Sequence, residues 1–406
     1  MSSLVICGGS PLSGRVIPSG SKNSALPIIF ATVLCRGVSV LYGVPDITDV
    51  RVSLEIISAL GARCTRIGDA LYIDTKDMEY HRPSPSLVTK IRASSYLLGS
   101  CVGRFGEAHI SAFGGCAFEN RPIDMHISAA VKLGCCVWDD RVLCSELVGC
   151  DVRFEKVSVG ATVNTILLAS RAKGRTRIFG YAREPHIMNL ISFLRTAGAK
   201  ITLTDEYIEI EGRTLIGGVC RIIPDMIEAG TYLALSLATG SDIRVMAGGG
   251  ELIGFLDTMV EGGAVLTDDG GELSLSGSLS EPVRIFTSPH PGFPTDLQPQ
   301  TAPLMARFAG GEIVENVWRC RFGYLAELSK FGVEYTVADN SAEIKPSRLR
   351  AATAVACDLR AGAALLIAAF IAEGESVINN AEVIDRGYER IVEKLRGLGA
   401  KIEIRD

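Results

Sequence analysis

No stretch of the sequence is long and apolar enough to cross a bilayer as a helix. The longest apolar segment, AGAALLIAAFIAE at 361–373, has the length of a buried core helix. The start, MSSLVICGG, lacks the basic stretch and apolar core of a secretory leader. Positive charge is not in excess: 41 Lys and Arg stand against 46 Asp and Glu, so no global field draws the chain to nucleic acid or acidic lipid. The 12 cysteines form no CxxC pair and no Cys/His cluster at zinc-finger spacing, which excludes the common structural metal sites. Scattered thiols without a leader read as reduced cysteines packed as small apolar residues, and the expected location is the cytoplasm.

What is present is a repeat. A helix end followed by a strand occurs six times, as ALGARCTRI, KLGCCVW, TAGAKITL, EGGAVLT, KFGVEYTV and GLGAKIEI, with glycines at Gly61, Gly134, Gly198, Gly263, Gly332 and Gly399. Glycine suits a helix end because it takes positive φ without steric cost. Apolar residues spaced three and four apart precede each glycine, as in LISFLRTA and YERIVEKLR, and alternating segments such as KITLTDEYIEIEG follow it. A second, more apolar helix opens each unit, for example SVGATVNTILLAS, SLVTKIRASSYLLG and DLRAGAALLIAAFIA. The unit therefore reads α-β-α-β-β. Six units in 406 residues predict an α/β protein of two domains with three units each, helices inside and sheets outside. The final unit ends abruptly at KIEIRD, so the N-terminal strand LVICGG is expected to complete it. That places residues 1–20 with 225–406 in one domain and 21–224 in the other.

The starts of the apolar helices are unusually polar. Lys22 and Asn23 stand at the first, Lys156, Ser158, Val159 and Gly160 at the third, Thr295 and Asp296 at the fifth, Asp358 and Arg360 at the sixth. A helix N-terminus attracts anions, and cations there are unfavourable for the helix dipole unless an anion offsets them. As a set they predict an anion-binding cleft. The loop AFGGCAFENRPIDMHIS (112–128) places Cys116 after two glycines and before Arg121, Pro122, Asp124 and His126. Such a loop fits a lid with an acidified thiol, and equally a small buried cysteine in a turn. In SPHPGFPTDLQPQ, Asp296 on its own fits an ordinary N-cap. In IDRGYERI, Arg386 precedes a helix whose Tyr388 and Arg390 read as plain surface.

Together these segments resemble the bacterial UDP-N-acetylglucosamine enolpyruvyl transferases, and in fold the related shikimate-pathway enolpyruvyl transferase, a two-domain inside-out α/β barrel. The resemblance runs from SGSKNSALPI to IDRGYERIVEKLRGLGAKIE, with GGC, RPxDxH, KVSVGAT, REP, FPTDxQ and DLRA in order. It implies transfer of the enolpyruvyl group of phosphoenolpyruvate to the 3-hydroxyl of a uridine-nucleotide sugar, with no metal, no cofactor and no obligate protein partner. By motif, Lys22, Arg121 and Arg386 would hold phosphoenolpyruvate, with Arg92, Arg321 and Arg360 adding positive charge. Asn23, Thr295 and Asp296 would face the acceptor sugar, with Val317 among the substrate contacts. Arg121, Pro122, Asp124 and His126, with Lys156, Ser158, Val159 and Gly160, would face the uridine and its phosphates. Cys116 matches the loop cysteine that protonates the vinyl carbon. Lys22→Ala is expected to weaken phosphoenolpyruvate binding and leave the fold intact.

The sequence also departs from the family pattern. REPEIxD reads REPHIMN, so His186 and Asn189 replace two acids. PDRIETGT reads PDMIEAGT, which brings in Met226. VFENR reads VWRCR, with Trp318, Arg319 and Cys320, and Tyr96 stands where tryptophan is frequent. Most of these are expected near the domain interface or the sugar side. They leave open a paralogue of secondary metabolism acting on another uridine nucleotide, as in nucleoside-antibiotic assembly, and, more remotely, a non-catalytic nucleotide-sugar sensor.

Overall fold

The computed structural model describes residues 2–110, 122–319 and 321–405. They fall into two compact units, residues 2–19 with 224–405, and residues 20–110 with 122–223. Cys116 and Arg121 lie outside the described residues.

Most of the opening helices are apolar around much of their circumference, and such a helix has to be buried. In Leu359–Ile371 every residue from Arg360 to Phe370 is buried, and the helix packs on Met226–Thr239 and Gln298–Arg307 at the centre of the first unit. The second helices are amphipathic and bury one face, as Ile253–Glu261 does with Phe255, Leu256 and Met259. The strands alternate: in Tyr207–Glu211, Ile208 and Ile210 are buried between half-buried neighbours. That is the pattern of a sheet with one face on the core and the other in water. Within each unit the helices are thus inside and the sheets outside. All six repeat glycines take positive φ, from 92° at Gly399 to 110° at Gly263.

Each repeat can carry one strand more than α-β-α-β-β. Asp151–Arg153, Val283–Phe286 and Thr353–Val355 each precede an opening helix and pair in parallel with the strand that follows it. The helix is the crossover that a parallel pair requires. These leading strands have three or four residues, too few for alternation to show in the sequence. Two of them are exchanged. Ser13–Val16 precedes the helix Lys22–Thr32 yet pairs with Asp242–Met246, while Val219–Arg221 precedes Met226–Thr239 yet pairs with Val38–Tyr42. The exchange requires the chain to pass from one unit to the other near residues 19 and 223. Ser19 is fixed where it leaves: its N–H donates to the buried Glu228 at 2.8 Å, and Lys394 donates to its hydroxyl at 2.6 Å.

The second opening helix is broken. Instead of one continuous element there is a short helix Pro85–Val88, a 3-10 turn Arg92–Tyr96 and then the helix Leu97–Phe105. The fifth starts later than its sequence suggests, at Gln298 with Leu297 as cap, so Asp296 is not an N-cap. Ser158, Asp225 and Asp358 do cap their helices; Asp358 accepts from the N–H groups of Arg360 at 2.7 Å and Ala361 at 2.9 Å.

The strand Ser3–Gly8 lies between Gly374–Asn379 and Lys401–Arg405, antiparallel to both. It takes the place of the hairpin strand that the last repeat lacks. A Cβ on Gly8 would stand 2.0 Å from the Ala369 carbonyl oxygen, so the strand end sits directly on the central helix. Ile6 is fully buried and Cys7 exposed on the same strand. We expect Ile6→Ala to cost about 2–4 kcal/mol and Cys7→Ala under about 0.5 kcal/mol, read as urea midpoints. Equal shifts for the two variants would show that this strand is peripheral to the core.

Candidate active site

In the first unit the helix starts bring charge together. Asp296 is half-buried, with its side chain 28% exposed, and it accepts from Arg321 Nη2 at 2.7 Å and from Arg360 Nη2 at 3.0 Å. Both arginines are buried, at 6% and 4% exposed. Burial on its own would lower the Arg360 pKa; the charges of Asp296, Tyr388 and Asp225 outweigh it and raise the guanidinium above its ordinary value. Arg321 also donates from Nη1 to the Thr295 hydroxyl at 2.7 Å, and Thr295 donates to Glu315 at 2.8 Å. The Val317 N–H donates to the same Glu315. Thr295, Asp296, Val317, Arg321 and Arg360 therefore form one network.

Tyr388 is not helix surface, as its sequence setting suggested. It is fully buried, its ring lies under the Arg360 guanidinium at 5.6 Å, and its hydroxyl meets Thr231 at 3.0 Å and Gln300 at 3.1 Å. Arg386 ends the 3-10 turn Ala381–Arg386 and is half-buried. That turn packs on the same central helix, with Ile384 against Gly362.

In the second unit Lys22 is not a free cation at a helix start. It is 9% exposed, and its ammonium lies 2.8 Å from Asp49, itself 3% exposed. Asp49 is the resident anion that offsets a lysine in the first turn of a helix. Lys22→Ala would leave a buried carboxylate without this partner, so the expectation of an unperturbed fold is corrected: the change destabilises. Asn23 follows in the same turn, half-buried.

His126 is buried in the helix Asp124–Lys132, and its Nδ1 lies 2.8 Å from Asn164 Nδ2. An amide nitrogen can only donate, so Nδ1 accepts and the proton sits on Nε2. The ring lies on the first turn of Val159–Ala169: a Cβ on Gly160 would stand 2.8 Å from His126 Cε1. This close approach requires glycine. Burial first, then the positive charge of Arg92, push the His126 pKa down to about 4, with Asp124 acting weakly the other way. Arg92 is half-buried, Val159 half-buried, and Pro122, Asp124 and Lys156 exposed; Ser158 accepts from the Ala161 N–H at 3.3 Å. The second unit thus groups Arg92, Asp124, His126 and Gly160, and pairs Lys22 separately with Asp49. Among the described residues no group of His, Cys, Asp and Glu side chains is arranged to hold a metal ion, and no helix is long and apolar enough to cross a membrane.

The family model described as EPSP synthase (3-phosphoshikimate 1-carboxyvinyltransferase) matches residues 6–395. The UDP-N-acetylglucosamine 1-carboxyvinyltransferase of Halothermothrix orenii is 40% identical over 99% of this chain and 99% of its own. That of Anaplasma marginale is 39% identical over the same shares. The chain belongs to the UDP-N-acetylglucosamine 1-carboxyvinyltransferase family. Its members are enolpyruvyl transferases, and the solved structures agree. The enolpyruvyl transferase NikO from Streptomyces tendae superposes with a TM-score of 0.89 at 27% identity, over 100% of this chain and 99% of its own. EPSP synthase from Acinetobacter baumannii superposes at 0.73 with 16% identity over the full length of both, which is a likeness of fold.

Against that family pattern, the departures divide. Asn189 is buried inside the second unit: its Oδ1 accepts from the Ser24 hydroxyl and from the Ile223 N–H at 3.3 Å, and its Nδ2 donates to the Arg221 carbonyl at 3.1 Å. Asn189 thus ties its helix to a leading strand and to the segment that ends the unit at Ile223. Met226 begins a central helix and packs on the core of its own unit. Tyr96 meets Phe30 edge-on at 6.2 Å. Trp318 is half-buried, and its N–H donates to Glu315.

Sequence reasoning did not single out Asp49, Asn164, Glu315 or the burial of Tyr388. Glu315 had a signal: it stands two residues after the buried Ile313, continuing the inward phase just past the end of the strand Gly311–Val314, where a charged residue is unusual.

The depressed His126 pKa has a consequence for acid stability. Between the ordinary value of 6.5 and about 4 the unfolded chain binds a proton that the folded one refuses. The contribution of neutral His126 is therefore complete above pH 6.5 and is lost as pH falls toward 4, by roughly 2–3 kcal/mol. His126→Gln should lose less stability than wild type between pH 7 and pH 4.5, measured by urea unfolding. Parallel pH dependences would contradict a buried neutral imidazole.

Proposed function

We propose that this protein transfers the enolpyruvyl group of phosphoenolpyruvate to the 3-hydroxyl of UDP-N-acetylglucosamine and releases phosphate, a cytoplasmic step of peptidoglycan precursor synthesis. The observation that carries the reading is Asp296, a partly exposed carboxylate gripped by two buried arginines. It supports a base that is oriented but reachable.

Asp296 takes the proton of the acceptor hydroxyl as its oxygen forms a bond to C2 of phosphoenolpyruvate. The resemblance gives Cys116 as the thiol that protonates C3, so the double bond becomes a methyl group and C2 a tetrahedral centre. Loss of a proton from that methyl then re-forms the double bond as the C2–phosphate bond breaks. Lys22, Arg121 and Arg386 hold the phosphoenolpyruvate anions, with Arg92, Arg321 and Arg360 adding positive charge. Several cations are required because two anionic substrates have to approach each other. Asn23, Thr295 and Val317 contact the sugar side. Pro122, Asp124 and His126, with Lys156, Ser158, Val159 and Gly160, contact the uridine and its phosphates.

Asp296→Asn keeps shape and hydrogen bonding but is not basic. It should lower phosphate release by about a hundredfold or more while nucleotide binding survives. Calorimetric titration should find UDP-N-acetylglucosamine bound much more tightly than UMP or UDP. Equal or weaker binding of the sugar nucleotide would instead favour another uridine nucleotide as acceptor, a reading that the Trp318 and Arg319 departures beside Val317 keep open.

A small anionic epoxide resembling phosphoenolpyruvate should alkylate Cys116 first. Burial pushes the thiols of Cys35 and Cys101 up to about 11 and about 12, which removes them as nucleophiles near neutral pH. Peptide mapping checks this; label spread evenly over the exposed Cys7, Cys136 and Cys357 would contradict it.

A further inference from the structure

Glu315 is 1% exposed. Its Oε1 accepts from the Thr287 hydroxyl at 2.7 Å, the Val317 N–H at 2.9 Å and the Trp318 N–H at 3.1 Å. Its Oε2 accepts from the Thr295 hydroxyl at 2.8 Å. These four donors belong to neutral groups. A carboxylate is costly to bury, and a turn that needs only acceptors for two N–H groups does not require one. An ionised carboxylate differs from a neutral acceptor in one respect that matters here: it never donates. Thr295 must therefore direct its proton at Glu315, which leaves its lone pairs for the Arg321 Nη1–H at 2.7 Å. The other terminal nitrogen of the same guanidinium donates to Asp296 at 2.7 Å. The hydrogen bonds run outward from Arg321, to Asp296 on one side and through the directed Thr295 hydroxyl to Glu315 on the other.

We propose that Glu315 is a positioning residue for enolpyruvyl transfer, fixing the direction of the Thr295 hydroxyl and, through Arg321, the orientation of Asp296. This rests on the reading of Asp296 as the base. Glu315 also holds the N–H groups of Val317 and Trp318, so one carboxylate ties the Thr295–Asp296 corner to the segment 317–318. Glutamine in its place presents an NH2 to one of these donors. If the amide nitrogen faces Thr295, the hydroxyl proton loses its acceptor and the direction of the chain is no longer specified.

The test is steady-state kinetics of the full chain with phosphoenolpyruvate and UDP-N-acetylglucosamine, with melting temperatures in parallel. Glu315→Gln should lower kcat by about tenfold or more and leave the nucleotide KM within about threefold. Thr295→Val should lower kcat at least as far, and Thr295→Ser, which keeps the hydroxyl, should restore most of kcat. Because Glu315 acts through Thr295, the double variant Glu315→Gln/Thr295→Val should be no slower than the slower single one. Wild-type kcat in Glu315→Gln, or losses that multiply in the double variant, would overturn the proposal. If Glu315→Gln does not fold, Thr295→Val and Thr295→Ser decide: equal kcat in the two removes the directed chain. Asp296→Asn run alongside separates the two failures. Retained turnover there sinks the base assignment and this proposal with it, whereas loss of turnover beside an unaffected Glu315→Gln sinks this proposal alone.

Discussion

A cation can be kept out of water only beside an anion, and the candidate site depends on that constraint. Arg321 and Arg360 are nearly as buried as core residues, and Asp296 is what stabilises them there. Lys22 has Asp49 in the same role. The pairing is not a large net stabilisation, since desolvation of both partners offsets the Coulomb attraction. Its effect is to hold cations in a fixed geometry in a low-dielectric setting, where they act strongly on an incoming anion. In the proposed reaction Asp296 has two roles that follow from one position: counter-ion to the arginines, and acceptor of the hydroxyl proton. His126 is the opposite outcome of the same constraint. Among the described residues no carboxylate meets its ring closely enough to offset burial, so it stays neutral and serves as a hydrogen-bonding and packing group against Gly160.

The fold makes this arrangement repeatable. Helices such as Val159–Ala169 and Leu359–Ile371 are apolar along most of their length and have to be buried, so polar groups gather at their starts. Asp225 and Asp358 spend their side chains on cap hydrogen bonds to N–H groups. Asp296, two residues ahead of its helix, is not used that way and is left for the arginines.

That difference explains what was legible in the sequence. Helix period, glycine stops and strand alternation are local signals, and they mark the repeat. The leading strands were not legible, because three residues such as DVR or VCR have no period and their pairing partners are distant in sequence. Asp296 looked like an N-cap because sequence spacing does not show where a helix starts to within two residues. The partners Asp49 and Asn164 were invisible for a related reason. Each is an ordinary residue in its own segment and acquires a role only when another element is folded onto it. Cys116 and Arg121 are known here from the resemblance, since they lie outside the described residues.

Acceptor choice is confined by the same local constraints. Asn189 stands in place of an acid in the family pattern, but its amide both accepts from Ser24 and Ile223 and donates to the Arg221 carbonyl. An ionised aspartate can only accept, so it would remove the amide donor to that carbonyl and leave only the weak Cys220 thiol. The asparagine is thus matched to its own surroundings, and the change concerns how a helix is joined to a strand. Met226 and Tyr96 are likewise accounted for by apolar contacts within their units. Trp318 and Arg319 are different, because they follow directly on Val317 in the segment that Glu315 anchors beside Thr295 and Asp296. A side chain there can alter what lies against Asp296 without disturbing Asp296 itself. Of the departures at Asn189, Met226, Tyr96, Trp318 and Arg319, the last two are therefore the ones placed to affect acceptor preference, with the network of Asp296, Arg321 and Arg360 unchanged.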